Sequence, residues 1–438
     1  MRPMASLYDR PMAARRSATF TESVLWHVDA DAPVVTDSPL PARSDVVVVG
    51  GGYAGLAAAR RFAEHGRSVV VVEAQPFSTG ASTRNGGMVI PELKAGPGAL
   101  ERSFGALGIR LDAAVNEAFD WTESLIATAD IDCDYHRSGQ LFLAHNEVAH
   151  RAMRASVADH LAHGGDVRLI EGDALHEEIG STAYAAGMVL ARTGGLQPAR
   201  FHAGLLRRCM HLEVQLQQRT RALAITDDGP AAHTVVTDRG SIRTHLVFVA
   251  TNATADALLP QLQRRVLPIG SFIIATEVLD PALANSISPR DRMFVDSKNL
   301  LFYWRLTPDG RLAFGGRRSL RATTVAEATE FLYDSMLRVH PQLAGVAIDH
   351  AWGGEVALTV DRFPHVGSFG RVAYATGCNG SGVALMPWLG TQMADAMLGE
   401  GPPPPFIELR HRRVPLSRWR RAWTPIVGGW FRLQDRRR

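Results

Sequence analysis

Residues 45–60 read DVVVVGGGYAGLAAAR, and this stretch decides the fold. Val46–Val49 is an apolar, β-branched run, which is typical of a strand buried on both faces of a parallel sheet. Gly50, Gly52 and Gly55 follow in the spacing G-x-G-x-x-G. The first glycine permits a tight turn, the second lets backbone N–H groups approach a pyrophosphate, and the third lets a helix pack closely on the strand. The stretch therefore predicts the start of a dinucleotide-binding fold.

A second strand and an acidic residue complete the pattern that the glycines begin. A helix predicted over Ala54–His65 ends before Gly66, and its N-terminal dipole favours a bound phosphate. The next apolar run, Ser68–Val72, ends at Glu73, at the spacing where an acid accepts the ribose hydroxyls of an adenosine. A lone glycine motif is weak evidence, but here all the parts occur in register. They predict a dinucleotide site without choosing between a nicotinamide and a flavin.

The segment GASTRNGG, residues 80–87, favours a flavin. A second turn rich in glycine, placed directly after the second strand, would supply more backbone donors near a pyrophosphate and a flavin ring. Within it, Arg84 could pair with a phosphate or form part of the pocket. A simple surface turn is a poor alternative, because small residues fill all but two of the eight positions.

Length and composition limit the protein to a few classes. A chain of 438 residues is too long for one ordinary core, so two domains are expected. Its apolar runs are of strand length, so no membrane-spanning helix is predicted. The three cysteines show no C-x-x-C spacing and suit reduced thiols, so we expect a cytoplasmic location. His136, His202 and His365 lack metal-ligand spacing, and neither a metal site nor a nucleic-acid partner is predicted.

The two ends of the chain differ from the middle. Residues 1–19 contain no continuous apolar segment of the secretory kind, and we expect a disordered or mis-started extension. Residues 410–438 contain ten arginines beside one acid, Asp435, together with three tryptophans. This mixture suits either a membrane surface or a C-terminal helix packed through its tryptophans, and we favour the packed helix. Interruptions of any long helix are expected at Pro415, Pro425 and Gly428–Gly429.

Together, these motifs make the chain resemble the FAD-dependent amine oxidoreductases of the D-amino-acid-oxidase superfamily, most closely the branch that contains γ-glutamylputrescine oxidase. The resemblance covers residues 20–400 and is carried by segments that include DVVVVGGGYAGL, VVVVEA, GASTRNGG, GGLQPARFHAGLL, AWGGEVALTVDRFPHVG and YATGCNGSGVALMP. It implies a mixed α/β fold, α+β overall. In that fold a Rossmann-like FAD-binding domain is interleaved with an antiparallel-sheet substrate domain that roofs the flavin.

The domains implied by the resemblance are discontinuous. The FAD-binding domain is expected at residues 43–95, 165–180, 198–262 and 363–400. The substrate domain is expected at residues 96–164, 181–197 and 263–362. An N-terminal extension, 1–42, and a Pro-rich linker with the basic tail, 401–438, would flank them.

The cofactor that the resemblance implies is FAD, held without a covalent bond. In the family, a helix end lies at the pyrimidine edge of the flavin and stabilises the negative charge of its reduced form. That helix end maps onto the turn Gly380–Val383, where Ser381 stands in place of the branch's usual histidine. The implied cofactor contacts are Gly50, Gly52, Tyr53, Ala54, Gly55, Glu73, Ala74, Ser82, Thr83, Arg84, Asn85, Gly86, Gly87, Ala222, Thr251, Gly380, Ser381, Gly382 and Val383.

Three residues are candidates for catalytic or substrate contacts. Glu355 could meet a substrate ammonium, or it could face solvent or pair with an arginine. Trp304 shares one face of a predicted roof strand with Phe302, and this face could wall the pocket or pack in the core. Ser381 is the third candidate, because it adjoins the expected flavin.

Two positions depart from the amino-acid and sarcosine oxidases of the superfamily. Val356 stands where the amino-acid oxidases carry the arginine that clamps the substrate carboxylate, and this disfavours a simple α-amino acid. Arg84, Arg305 or Arg317 could substitute. Ala313 stands where sarcosine oxidases use a lysine beside the flavin for oxygen reduction.

The resemblance thus implies FAD-dependent oxidation of an amine, by hydride transfer to flavin N5 and hydrolysis of the resulting imine to an aldehyde. A γ-glutamylputrescine-like or other primary or secondary amine is the expected substrate, and oxygen the expected acceptor. Three alternatives remain open. They are a membrane-associated amine or amino-acid dehydrogenase that reduces quinone, a nicotinamide dehydrogenase, and a flavin-binding protein without turnover.

Overall fold

The computed structural model describes residues 13–229, 232–254, 258–317, 320, 323–417 and 420–435. In this part of the chain, one sheet has eight strands and a second has nine. A separate two-stranded ribbon is formed by β4 and β8. The strands are β1 (Arg16–Thr21), β2 (Arg43–Val49), β3 (Val69–Val72), β4 (Met88–Val89), β5 (Gln140–Ala144), β6 (Val167–Glu171), β7 (Ala186–Leu190), β8 (Gly194–Gly195), β9 (Gln215–Gln217), β10 (Ala222–Asp227), β11 (His233–Thr237), β12 (Gly240–Val249), β13 (Leu267–Thr276), β14 (Met293–Asp296), β15 (Phe302–Leu306), β16 (Leu312–Gly316), β17 (Ile348–Leu358), β18 (His365–Phe369) and β19 (Val372–Thr376).

The helices lie between and around these sheets. In order along the chain they are α1 (Tyr53–Glu64), α2 (Pro97–Phe104), α3 (Ala106–Thr128), α4 (Glu147–Ala162), α5 (Asp173–Ile179), α6 (Pro198–His211), α7 (Pro260–Gln263), α8 (Pro281–Ile287), α9 (Val325–Val339), α10 (Gly382–Leu398) and α11 (Arg420–Asp435). The mixed α/β class predicted from the sequence is confirmed.

The eight-stranded sheet contains the nucleotide-binding motif. Its order is β10-β11-β12-β2-β3-β9, and β19 pairs with β12 and with β18. Strands β12, β2, β3 and β9 are parallel, with Val46–Val49 set against Val69–Val72. The four valines of β2 are buried and feed two different hydrophobic cores, one on each face of the sheet. This placement explains why the sequence there is continuously apolar rather than alternating.

The nine-stranded sheet forms the roof. Its order is β1-β17-β13-β16-β15-β14-β5-β7-β6, and the central neighbours β17, β13, β16 and β15 are antiparallel. One face packs on α9 through a core that includes Trp304, Phe314 and Met336. Because side chains alternate along a strand, the other face carries Tyr303, Ala313 and Trp352, which point toward the nucleotide sheet.

The N-terminal segment is part of this roof. Strand β1 pairs in parallel with β17, the strand of the predicted catalytic motif. The side chain of Trp26 packs edge-on against Trp352 at a ring-centroid distance of 5.9 Å and donates a hydrogen bond to the Asn85 carbonyl. The prediction of a disordered extension over residues 1–19 is therefore wrong for residues 16–19, which belong to β1. The segment that follows buries Val24, Leu25, Trp26 and Ala30 in a small cluster under the roof. Residues 1–12 lie outside the described residues.

One predicted domain segment also needs correction. Residues 165–180 were assigned to the FAD-binding domain, but they form β6 and α5, and β6 pairs with β7 at the edge of the roof sheet. Glu178 in α5 is buried and forms an ion pair with Arg292, which lies in the loop immediately before β14. This ion pair and the strand pairing hold the segment on the roof.

Within the described part of the basic tail, residues 420–435 form a single helix rather than broken pieces. Helix α11 continues through Pro425 and through Gly428–Gly429, so the predicted interruptions at those positions are wrong. Pro425 is exposed, so the backbone carbonyl that loses its partner can be hydrated, and Gly428 lies against Leu320. Trp423 is half-buried as the packed-helix prediction requires, whereas Trp430 is exposed and Trp419 lies outside the described residues. Among the described helices, none is long and apolar enough to cross a bilayer.

Helices α1 and α10 pack so closely that their spacing depends on a glycine. A Cβ atom at Gly390 would overlap the carbonyl oxygen of Ala54. We therefore expect Gly390→Ala to push the helices apart and to lower the free energy of unfolding by about 1–3 kcal/mol. Gly429→Ala in α11 is the control, because no atom lies within 4 Å of its added Cβ. Urea unfolding midpoints of the two variants test this, and equal midpoints would contradict it.

Candidate active site

A cavity of about 1160 Å³ lies between the nucleotide sheet and the roof. It is lined by the β2–α1 turn, residues 76–86, the ends of β13 and β17, and the turn before α10. Its volume exceeds the range of about 300–1,000 Å³ that is usual for a single small ligand. The cavity therefore has room for a dinucleotide and a second molecule together.

The β2–α1 turn is arranged as a nucleotide cradle. The Glu73 carboxylate accepts hydrogen bonds from the Gly51 N–H at 2.9 Å and from the Gln75 N–H at 3.0 Å. A carboxylate can accept about four hydrogen bonds, so capacity remains for the ribose hydroxyls predicted from the sequence. The N-terminus of α1 faces the same cavity, where its partial positive charge suits a pyrophosphate.

Ser82 joins the two glycine-rich turns. Its hydroxyl accepts a hydrogen bond from the Tyr53 N–H, at 3.0 Å, in the first turn of α1. A Cβ atom at Gly52 would come within 2.9 Å of the Ser82 oxygen. A side chain at position 52 would displace the Ser82 hydroxyl, so glycine here lets the GASTRNGG turn lie across the N-terminus of α1.

The Arg84 side chain links this turn to the roof by hydrogen bonds. Its Nε donates to the Thr79 carbonyl at 2.8 Å and its Nη1 to the Gly353 carbonyl at 2.9 Å, while the Trp352 indole donates to the Arg84 carbonyl. Of the two roles left open by the sequence, the structure favours that of a pocket-forming residue. The second turn is thereby fixed to β17.

The structure brings most of the predicted cofactor contacts into this one cavity. Gly55 and Gly87 are the exceptions: they lie behind its lining, where an added Cβ atom would overlap the carbonyl oxygens of Gly50 and Leu196 respectively. They act by permitting close packing rather than by touching a ligand. The predicted residues that do line the cavity are Gly50, Gly52, Tyr53, Ala54, Glu73, Ala74, Ser82, Thr83, Arg84, Asn85, Gly86, Ala222, Thr251, Gly380, Ser381, Gly382 and Val383.

The turn before α10 concentrates positive potential at one end of the cavity. Ser381 is buried at the N-terminus of α10, and its hydroxyl accepts a 3.4 Å hydrogen bond from Lys94 Nζ. Asn379 ties the turn to β17 by accepting the Thr359 N–H at 2.9 Å. A helix N-terminus and an ammonium together would stabilise negative charge on a bound group. Sequence reasoning missed Lys94, because no motif surrounds it.

Tyr303, not Trp304, faces the cavity from β15. Tyr303 lines the cavity, and its hydroxyl shares a 3.2 Å hydrogen bond with Ser271 on β13. Trp304 is fully buried on the opposite face, stacked on Phe294 and Phe314 at centroid distances of 5.3 and 5.4 Å. The predicted alternation is correct. Of the two roles left open for the face of Phe302 and Trp304, wall of the pocket or core packing, the structure shows core packing on α9. Trp304 is a core residue and is withdrawn as a catalytic candidate.

Strand β17 places an apolar side chain and an acid at the cavity. Gly354 and Val356 share the face that carries Trp352, whereas Glu355 is exposed at the rim of the cavity. Of the substitute arginines, Arg305 lies outside the cavity lining and donates to the carbonyls of Gly86 and Leu196. Arg317 does line the cavity, and its buried Nε has no partner among the described residues.

The His202 side chain forms hydrogen bonds with the β2–α1 turn and with the segment that follows β3. Its Nε2 lies 2.8 Å from the Gly51 carbonyl and its Nδ1 lies 3.1 Å from the Ser78 hydroxyl. Burial lowers the pKa of His202 to about 4. The imidazole is therefore neutral near pH 7, with Nε2–H as donor and Nδ1 as acceptor, an assignment that follows from the hydrogen-bond partners. His136 lies outside the cavity lining and pairs with Asp291 at 3.1 Å.

The donor set of this cavity fits FAD. The β2–α1 glycine turn, the Glu73 carboxylate and the N-terminus of α1 line one part of the cavity. The N-terminus of α10 and Lys94 line another part. Across the described residues, no cluster of three or more His, Cys, Asp or Glu side chains is arranged to hold a metal ion.

Comparison with known proteins agrees with this geometry. The family model described as FAD dependent oxidoreductase (DAO) matches residues 45–396. Gamma-glutamylputrescine oxidoreductase of Escherichia coli (strain K12) is 31% identical over 398 residues, which are 90% of this chain and 93% of that protein. A probable oxidoreductase, OrdL, of Haemophilus influenzae is 32% identical over 82% of this chain and 83% of its own. The solved glycine oxidase of Bacillus cereus superposes with a TM-score of 0.72 at 19% identity, over 85% of this chain and 99% of its own.

The Glu73 carboxylate provides a first test of the cradle. Glu73→Gln removes the charge and sets an amide N–H against one of the two backbone donors, Gly51 or Gln75. Because hydrogen bonds to a charged group contribute about 1.5–3 kcal/mol, we expect the Kd for FAD to rise by about 10- to 100-fold. Fluorescence titration of the apoprotein with FAD measures this. Glu64→Gln, at the solvent-facing end of α1, should leave the Kd unchanged, and equal values for both variants would contradict the assignment.

The buried His202 predicts a pH dependence of stability. Its pKa is lower in the folded protein than in the unfolded chain, so the unfolded chain binds the additional proton as the pH falls from about 6.5 to 4. Stability is therefore lost over this window and retained above it. We expect the wild type to lose about 3 kcal/mol more than His202→Gln between pH 7 and pH 4. Urea unfolding at saturating FAD measures the difference. His211→Gln, an exposed histidine of the same helix, should follow the wild type, and a slope shared by all three proteins would disprove the role of His202.

Proposed function

The chain belongs to the DAO family of FAD-dependent oxidoreductases, enzymes that act on the CH–NH or CH–NH2 group of an amine or amino acid. On this basis we propose its substrate and its electron acceptor. The proposed substrate is γ-glutamylputrescine or a closely related extended amine. The primary amine is oxidised to an imine, which water converts to an aldehyde and ammonia. Oxygen takes up the two electrons and two protons and becomes hydrogen peroxide.

The observation that carries this proposal is the apolar Val356 on the cavity face of β17. An α-amino acid has its carboxylate one bond from the reacting carbon, and a buried carboxylate needs a cationic, preferably bidentate, partner. Val356 cannot provide one, and Arg84 already uses two of its donor groups on backbone carbonyls. Of the arginines that could substitute, Arg317 alone lines the cavity with a buried donor that has no partner in the described chain. An amine without a carboxylate beside the reacting carbon meets no such cost.

Two polar side chains of the cavity suit the glutamyl end of such a substrate. Arg317 has a buried Nε without a partner in the described chain, and Glu355 is exposed at the cavity rim. A glutamyl group carries one carboxylate and one ammonium, which these two side chains could hold.

The chemistry divides between the cofactor and the chain. When bound, FAD supplies the electron sink that accepts a hydride from the carbon next to nitrogen. Val356 and Met386 give the cavity apolar walls, which favour the neutral amine by desolvation. Burial raises the pKa of Tyr303, so its hydroxyl stays protonated and can orient the amine nitrogen together with Ser271. Lys94 and the N-terminus of α10 would stabilise negative charge that develops nearby.

A quinone is the alternative electron acceptor. Helix α11 carries an exposed apolar stripe of Ile426, Trp430 and Leu433 in an arginine-rich segment, a pattern that suits a bilayer surface. Ala313 supports the same alternative, since it replaces the lysine that would assist oxygen. The acceptor is therefore tested separately from the substrate.

The test is an anaerobic mixing experiment on the purified holoenzyme. We expect γ-glutamylputrescine to bleach the flavin absorption band at least tenfold faster than glycine or D-alanine at equal concentration, since every tenfold in rate is about 1.4 kcal/mol of transition-state stabilisation. Air or a soluble ubiquinone analogue is then admitted, and the faster return of colour identifies the acceptor. A flavin bleached by the amino acids but not by the amine would refute the proposed substrate, and a flavin bleached by none would refute amine oxidation.

A further inference from the structure

Helix α11 lies outside the part of the chain that the family model matches, yet it takes part in the cavity. The match ends at residue 396, and α11 begins at Arg420. Trp423, Val427 and Phe431 line the cavity from this helix. Their spacing of four residues places the three side chains on one helical face.

The C-terminal end and the middle of this helix are held against the roof. The Asp435 carboxylate accepts hydrogen bonds from the backbone N–H groups of Asn299 and Leu300, at 2.9 and 3.2 Å, and from the Asn299 side-chain amide at 2.8 Å. Nearer its middle, the helix approaches Leu320 so closely that a Cβ atom at Gly428 would lie 3.0 Å from the Leu320 nitrogen. Hydrogen bonds to a charged acceptor are stronger than neutral ones. The helix is therefore held in place rather than resting loosely on the surface.

The lining face of α11 is only half covered by protein. Trp423, Val427 and Phe431 keep part of their surface open, and the space that they line is the cavity. Leu301 and Leu320 add apolar surface from the neighbouring roof segments. An apolar ligand segment placed there would remove this surface from water, which is favourable in proportion to its area.

We propose that α11 forms a distal subsite for the aliphatic chain of the amine substrate, and that this helix makes the enzyme selective for long, straight amines. The inference rests on the proposed oxidation of an extended amine and deepens it. Val356 and Tyr303 lie where the reacting end would be, and the subsite of Trp423, Val427 and Phe431 accommodates the methylene groups beyond it. Small amines do not reach the helix and gain nothing from it.

The size of the effect follows from the burial of methylene groups. Each buried methylene favours binding by about threefold to fourfold. The affinity of the wild-type holoenzyme for straight-chain primary amines should therefore rise by that factor per carbon over the part of the series that reaches α11. The shortest amines should bind with an affinity that is independent of the helix.

The experiment is calorimetric titration of the anaerobic holoenzyme with n-propylamine to n-octylamine, beside steady-state kinetics where turnover occurs. Phe431→Ala and Val427→Ala should flatten the dependence on chain length, weakening n-octylamine by about tenfold while leaving n-propylamine unchanged. Leu433→Ala and Ile426→Ala are the matched controls on the outer face, where the side chains are 59% and 73% exposed. They should keep the wild-type slope.

A second variant tests the helix without altering its lining face. Asp435→Ala removes the acceptor that holds the end of α11 to Asn299 and Leu300, and it should flatten the slope as the inner variants do. Parallel slopes for the wild type and all inner variants, or a wild type without chain-length dependence, would overturn the subsite. The proposed oxidation fails separately: if no amine bleaches the flavin but affinity still rises with chain length in an α11-dependent manner, the subsite stands and the reaction does not.

Discussion

The hydrogen bond between the Ser82 hydroxyl and the Tyr53 N–H is the contact on which the arrangement of the site depends. It brings the turn of residues 80–87 across the N-terminus of α1, and Arg84 then carries the connection to β17. Through these two contacts the nucleotide sheet, the second glycine turn and the roof share one fixed geometry. The close approach is possible only because Gly52 has no side chain at the crossing.

The sequence predicted the parts of the protein that repeat a local pattern. Helix α1 was predicted over Ala54–His65, and β2 with β3 were predicted as continuous apolar runs, because each is buried and the sequence pattern shows it. Strands β1 and β6 were missed because they lie at the two edges of the roof and bury few side chains. Their positions are set by pairing with distant strands, which local periodicity does not encode.

The candidate site shows the same limit at the level of single residues. Alternation separated Trp304 from Tyr303 correctly, but which of two apolar faces meets a ligand depends on what packs behind the sheet, here α9. Lys94 reaches the α10 turn across 287 positions of the chain, and no motif announces such a contact. The glycine turns, in contrast, could be predicted because a close approach of the backbone requires glycine, and the spacing of the glycines is visible in the sequence.

The pairing of β1 with β17 has a consequence for how the folded protein behaves toward its own copies. Strand β17 pairs with β13 along its length, and β1 pairs with its first residues, Ile348 and His350, so this end of β17 is paired on both sides. An open edge on a long strand is a template for association between molecules. Strand β1 covers the first part of that edge with a short segment whose side chains include Arg16, Ser17 and Thr19, which are poorly suited to recruit another strand. The N-terminal segment is therefore expected to hinder association between molecules at this end of β17.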